Sequence, residues 1–377
     1  MEVVSRAVVY DASTHAPQPR IAYFTSLCQL RSGDILCGYQ VGPTKHGSEN
    51  TVAVSRSRDG GATWSGVDCQ FETTVDGVPG SLAAAEMVEV EPGRLLCFTT
   101  WFDRSDPNRP LYNPETEGIL RSKQLVAVST DSGATWGDWR EVPTPGLTGC
   151  ATTGPALRFP DGLIAFAFES FKEFDDPEPA RHAAWVIATQ DGGETFGEPL
   201  LVGRDPRQAI YYWDQRLCRL SGAGEAAALF WTHDRSEQRD LRVHFTTLKL
   251  TASNIEVAEI RETNIPGQIA SPAQLSDGRL LGFVVDRNRP GSMTLWQSAD
   301  GGQSWPAEQK LLVHTQEERG AVTQGLENID FDQYWEDMSK WTFGHPAIEV
   351  LPDDRALLAW YAGSPGCMSI HACIVQM

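Results

Sequence analysis

Ser57–Trp64 reads SRDGGATW, and near-copies of it recur as STDSGATW (Ser129–Trp136), TQDGGETF (Thr189–Phe196) and SADGGQSW (Ser298–Trp305). Each copy has a hydroxyl residue, an aspartate two positions on, a glycine two after that and an aromatic three further. The aspartate can accept backbone N–H groups within its own turn. The glycine supplies the positive φ of a tight hairpin. The aromatic then folds back as an apolar plug. Four copies in one chain indicate a repeated hairpin, the signature of a repeat architecture.

Spacing gives the number of repeats. The aspartates Asp59, Asp131, Asp191 and Asp300 are 72, 60 and 109 residues apart, so one repeat without the motif is expected between the last two. A second signal, a polar turn followed by an apolar run, occurs six times: RSGDILCGY (Arg31–Tyr39), EPGRLLCFTTW (Glu91–Trp101), FPDGLIAFAFE (Phe159–Glu169), LSGAGEAAALFW (Leu220–Trp231), LSDGRLLGFVV (Leu275–Val285) and LPDDRALLAWY (Leu351–Tyr361). Continuous apolar runs suit strands covered on both faces. The expected fold is therefore all-β, a six-bladed β-propeller of four-stranded antiparallel blades forming a single domain over 1–377. After Tyr361 about one strand remains, so the last blade is expected to be closed by the N-terminal strand EVVSRAVVY (Glu2–Tyr10), which removes a frayed edge.

Composition agrees with this reading. The 34 glycines and 23 prolines are enough to punctuate two dozen strands. A formal charge of −19 argues against nucleic acid or an anionic membrane as partner. No stretch is apolar enough to span a bilayer. The start shows no signal-peptide core, so a cytoplasmic location is expected. Cys28, Cys37, Cys97, Cys218, Cys367 and Cys373 lie in or beside apolar runs and read as buried thiols. No CxxC pair, zinc-type Cys/His cluster or EF-hand spacing occurs, so neither a metal nor another cofactor is expected.

The repeated turn resembles the Asp-box, or BNR repeat, of the sialidase superfamily. That resemblance implies a propeller with the boxes on the face away from the active site, and an oligosaccharide or glycoconjugate as substrate. PRIA at Pro19–Ala22 is similar to the Arg-Ile-Pro element of sialidases, which implies Arg20 as an anchor for a substrate carboxylate. Arg235 and either Arg287 or Arg289 are the second and third anchors by position. A guanidinium suits this role because its fork matches a carboxylate. The family's nucleophilic tyrosine comes from the sixth blade, which points to Tyr361, with Asp214 in place of the glutamate that activates it. The family's acid is an aspartate in the first blade. No aspartate occurs between Asp34 and Asp59, so His46 or Glu49 has to substitute, with Lys45 beside them as a substrate contact.

Residue types extend the site. Trp101, at the start of a long loop in the second repeat, is a candidate platform for a sugar ring. Alternation along IYYWDQ puts either Tyr211 with Trp213, or Tyr212 with Asp214, towards the pocket. His345 near the axis can serve as a base or acid. The function expected is that of an exo-glycosidase acting on a terminal sugar, with a clamp for a carboxylate if the sugar carries one. The same fold also allows a polysaccharide lyase on uronate glycans using a tyrosine or histidine base, or a carbohydrate-binding propeller without catalysis.

Overall fold

The computed structural model describes residues 1–15, 20–67, 69, 71–288, 290–316 and 340–377. Regular structure among them is almost all strand, arranged in five hydrogen-bonded sheets. Four of these each hold one antiparallel four-strand unit, and the eight-stranded sheet holds two. The innermost strands of the six units are Arg20–Gln29, Gly80–Glu91, Ala151–Arg158, Ile210–Arg219, Ala270–Gln274 and Phe343–Val350. They neighbour one another in that order, and the last neighbours the first. The fourth unit, with second strand Glu225–Asp234 and third strand His244–Leu250, fills the gap between Asp191 and Asp300 and carries no Asp-box.

The first and last units share a sheet. Arg20 and Ile21 pair in parallel with Cys367 and Met368. Glu2–Tyr10 lies antiparallel on Cys367–Gln376, so the beginning of the chain forms the outer strand of the last unit. Arg6 fastens it further by donating from Nη2 to Val313 O at 2.7 Å.

Alternation along each strand leaves both faces apolar, and those faces pack between units. Six hydrophobic clusters result, one at each junction. Leu36, Val54, Leu82 and Cys97 join the first unit to the second, for example, and Phe283, Leu295, Leu358 and Trp360 join the fifth to the sixth. Cys28, Cys37, Cys97, Cys218 and Cys373 are buried; Cys367 is half-exposed.

The four boxes share one hydrogen-bond scheme. In the first, Thr63 donates N–H and O–H to the Asp59 carboxylate (2.9 and 2.5 Å), and Ser57 Oγ accepts Gly61 N–H at 2.8 Å. Gly61, Gly133, Gly193 and Gly302 all have positive φ, and a Cβ on each would strike Leu357, Leu36, Leu96 or Phe245 of the preceding unit. The box is thus a turn that also docks on its neighbour, which explains both of its demands on glycine.

Hydroxyl and N–H donors in the boxes hold Asp59, Asp131 and Asp300 at a pKa of about 2, below the ordinary 3.8. A depressed carboxyl contributes stability that is complete above its ordinary pKa and is lost as pH falls through the folded value. Thermal melts should therefore show a falling Tm from about pH 4 to about pH 2, with a shallower fall in Asp59→Asn. Removing residues 1–10 should destabilise the protein by about 3 kcal/mol or more, from the lost burial around Val9 and Tyr10. Unchanged denaturant unfolding of the truncated chain would contradict that.

Candidate active site

The pocket is built by a repeated irregularity. In five of the six inner strands the pairing with the second strand slips at the same place, between Tyr23 and Ser26, Ala83 and Glu86, Thr152 and Ala156, Trp213 and Arg216, and Gly344 and Ala347. Each bulge holds a residue at positive φ: Phe24, Ala84, Gly154, Asp214 and His345. A bulge of this kind re-aims side chains. Phe24, Ala84, Asp214 and His345, together with Trp213 and Thr153, line one cavity of about 150 Å³. A smaller adjoining cavity shares Phe24, His46, Asp214, Trp231 and His345, and adds Tyr23, Lys45, Arg287, Trp341 and Tyr361.

Tyr361 is 3% exposed and stands opposite Gly344. Lys45 Nζ donates to its hydroxyl at 2.9 Å and lies 4.6 Å from the ring centre. Arg287 flanks the same oxygen. A Cβ on Gly344 would lie 2.4 Å from Arg287 Nη2 and 3.5 Å from the Tyr361 hydroxyl, so only glycine fits between strand and cation. Arg287 is 1% exposed and stacks on Trp341 at 3.8 Å, and its Nε and Nη1 have no hydrogen-bond partner among the described residues. Buried donors left open in this way suit an anionic ligand group.

Burial pushes the Tyr361 phenol up, but Lys45 and Arg287 outweigh it and hold the group below its ordinary 10. Burial lowers Lys45, although Tyr361 opposes that. Tyr10, Tyr23, Tyr39, Tyr211 and Tyr212 are all raised by burial, which sets Tyr361 apart.

A second set of groups meets on the floor. Arg216 donates to Asp214 Oδ1 from Nε at 2.9 Å, and its Nη2 lies 2.8 Å from the same oxygen. Its Nη1 is 3.5 Å from Glu86 Oε1, and Nη2 contacts His345 Nε2. Asp214 N–H donates to Glu169 Oε2 at 3.0 Å. Burial raises Asp214, lifts Glu86 to about 7 and lifts Glu169 to about 8. A Cβ on Gly154 would lie 2.3 Å from the Glu86 carboxyl carbon, so this glycine makes room for a buried acid.

Several expected site residues lie elsewhere or do other work. Arg20 opens its strand beside Tyr10 and Cys367 and lines neither cavity, because the strand reaches the pocket only at Tyr23 and Phe24. Arg235 pairs with Glu117 at 3.1 Å and lies over the Tyr211 ring, which uses up its charge outside the pocket. Arg289 lies outside the described residues. Trp101 is not a loop residue: it sits in the strand Arg94–Asp103, 2% exposed, donating to Thr73 O at 2.8 Å between two units. Tyr212 packs on Phe230 and His244. The bulge at Asp214 breaks strict alternation, so the adjacent residues Trp213 and Asp214 both face the cavity. Glu49 is exposed, because Asn50 Nδ2 binds Tyr23 Oη and Thr44 O and folds the loop inward without it.

The two histidines face the pocket but are held neutral. His46 is lowered to about 3 by burial, Lys45 and Arg104. His345 is lowered well below 6.5 by burial and Arg216, with Nδ1 on Thr25 O at 3.2 Å and Nε2 on Arg216. Both its nitrogens are engaged, so it positions Arg216 and has no free lone pair for a substrate proton.

Sequence reasoning missed Glu169, Glu86 and Arg216. One signal could have found much of the lining. The second-strand residue opposite the last residue before each bulge is Gln40, Thr100, Trp231 or Tyr361 in four units, and all four face a cavity. Aligning the hairpins would have grouped them. Among the described residues no group of three or more His, Cys, Asp or Glu side chains could hold a metal ion.

Comparison with solved structures identifies the architecture as the sialidase-like β-propeller fold. A protein of unknown function from Dyadobacter fermentans DSM 18053 matches with a TM-score of 0.72 at 15% identity, over 99% of this chain and 98% of that one. The Hadza microbial sialidase Hz136 matches at 0.68 and 18% identity, over 98% of this chain and 68% of that one. An α-L-arabinanase of Penicillium chrysogenum, complexed with arabinobiose, matches at 0.62 and 13% identity over 99% and 98%. No protein-family model and no curated protein matches the sequence.

In a tyrosinate absorbance titration of the folded protein, Tyr361 should ionise below 10. Lys45→Ala should move that step upward. A titration in which every tyrosine ionises at or above 10 would remove the basis for a cation-held phenol.

Proposed function

We propose that this chain is a glycan-active enzyme, an exo-glycosidase that removes a terminal sugar. Its six four-strand units are read as the blades of one closed six-bladed propeller forming a single domain. The observation that carries the functional reading is the Tyr361 phenol, buried yet held below its ordinary pKa by Lys45 and Arg287. A perturbed group of this kind in a cleft is a strong candidate for chemistry. Structural likeness to a sialidase and an arabinanase supports a carbohydrate substrate.

In this reading Tyr361 is the nucleophile, as in the tyrosine exception to two-carboxylate hydrolysis. The cations supply what a neighbouring carboxylate was expected to supply. Asp214 is instead engaged by Arg216, and among the described residues no hydrogen bond joins it to Tyr361. Arg287, with two open donors, takes an anionic or hydroxyl group of the sugar. Trp231, Trp213 and Phe24 wall the ring, an arrangement that suits the apolar face of a sugar.

A lyase acting on a uronate glycan is the second reading, favoured by the same cation-flanked phenol. Tyr361 would take the α-proton while Arg287 neutralises the carboxylate. Mass spectrometry of products from sialylated, uronate-bearing and neutral oligosaccharides separates the two. Hydrolysis adds one water to the summed product mass, and elimination adds none. Tyr361→Phe should lower kcat/KM by at least about a thousandfold, the scale on which losing a nucleophile acts. Arg287→Met should raise KM for carboxylated substrates by about tenfold or more, and should lower kcat for carboxylated and neutral substrates alike because Tyr361 loses one of its flanking cations. No cleavage across the panel, together with retained sugar binding, would favour a carbohydrate-binding propeller.

A further inference from the structure

One guanidinium faces three carboxyl groups on the pocket floor, and they do not share it equally. Arg216 bonds Asp214 and lies within ion-pair distance of Glu86. Glu169 makes no ion pair among the described residues. Its one hydrogen bond there is the N–H of Asp214, whose own carboxylate lies beside it. Like charges this close in a buried site do not all ionise. The proton is retained where the cation is farthest, and that is Glu169. Glu169 is also half-exposed to the larger cavity, at the end of the strand Ile164–Ser170, with Thr152, Thr153 and Trp213 around it. Glu86, by contrast, is 2% exposed and is not among the residues lining that cavity.

We propose that Glu169 is the proton donor to the leaving group, the role left open because the first unit carries no aspartate between Asp34 and Asp59. The inference rests on the glycosidase reading above. The groups around Glu169 are Asp214 and Arg216 on the fourth inner strand, and Cys150 just before the third. Glu86 and His345 lie behind Arg216, and His46 and Arg104 line the far side of the cavity. Burial, then the Asp214 charge, lift Glu169 to about 8 against the pull of Arg216, so it is protonated at neutral pH.

The chemistry balances in two steps. The Glu169 proton moves to the glycosidic oxygen as that oxygen leaves the anomeric carbon, and the Tyr361 phenolate oxygen bonds to the same carbon. Water then attacks that carbon, the bond to Tyr361 breaks, and the water proton returns to the Glu169 carboxylate. One water is consumed for each bond cleaved.

The test compares wild type with Glu169→Gln on methyl and 4-nitrophenyl glycosides of sialic acid, glucuronic acid and arabinofuranose, with infrared spectra of both proteins taken across pH. A nitrophenolate leaves without protonation, and a methoxide does not. The expected result is a loss of about 100-fold or more on the methyl glycoside that wild type cleaves. The first, bond-breaking step on its nitrophenyl counterpart changes by less than about fivefold, and the basic limb of the pH profile disappears. The wild-type spectrum at neutral pH contains, beside the contribution of Glu86, a protonated-carboxyl band that Glu169→Gln removes. Equal losses on both glycosides, or no such band, would overturn the assignment even if wild type is a glycosidase. If the band is present and wild type cleaves none of these glycosides, the glycosidase reading fails and the donor role falls with it.

Discussion

Polar side chains on one unit bond backbone and carboxylate groups on the next, and the pocket depends on this stitching. Thr25 donates to His345 O and Ser26 to Ala85 O, which ties the first inner strand to the sixth and to the second. Thr100 Oγ1 accepts Thr152 N–H, Gln215 donates to Phe168 O, Gln268 to Asp240, and Ser271 to Pro346 O. At the second and sixth bulges the carbonyls of Ala85, His345 and Pro346 would otherwise be buried without these partners, at a cost of about 1–3 kcal/mol each. With those groups satisfied, non-glycine residues can hold positive φ at the centre of the molecule. Such strain persists where the surroundings over-determine it. It is what aims Phe24, Asp214 and His345 into one space.

The charges follow from the same enclosure. In a dry pocket a group ionises only beside a compensating partner. Two cations flank Tyr361 and lower its pKa, whereas Glu86, Asp214 and Glu169 share Arg216, with Arg287 reaching only Asp214, and protons are left among them. Two adjoining cavities therefore have opposite tendencies, a phenol poised to lose its proton in one and a carboxyl poised to keep one in the other. Two titratable groups driven apart in this way are the usual arrangement of an acid and its counterpart. The neutral His345 completes the floor as a spacer between Arg216 and Thr25.

Much of the architecture was legible in the sequence because it is repetitive. The Asp-box and the apolar second strands each recur, and both signals are local turn chemistry and alternation. The site was legible only where position in the repeat decides it. Tyr361, Lys45 and Arg287, which line one cavity, could be singled out because their units could be aligned. Arg20, Arg235, Trp101, Tyr212 and Glu49 line neither cavity; for the strand residues the side that faces the pocket depends on bulges at Phe24, Ala84 and Asp214, and nothing in those residue types announces positive φ. Only Gly154 and Gly344, each two residues before a proline or adjacent to one, carry a visible hint. Glu169 was hidden by the acidic run that follows it, which reads as a solvated loop.

A buried tyrosine that two cations flank and that acts as the nucleophile is the claim on which the functional account turns. The most direct test is peptide mapping by mass spectrometry after incubation with a fluorinated glycosyl fluoride of whichever sugar the enzyme cleaves, a reagent that slows breakdown of a covalent intermediate. The account predicts a single glycosyl adduct on the peptide containing Tyr361. An adduct on Asp214 or Glu169, or turnover with no adduct on any residue, would contradict it.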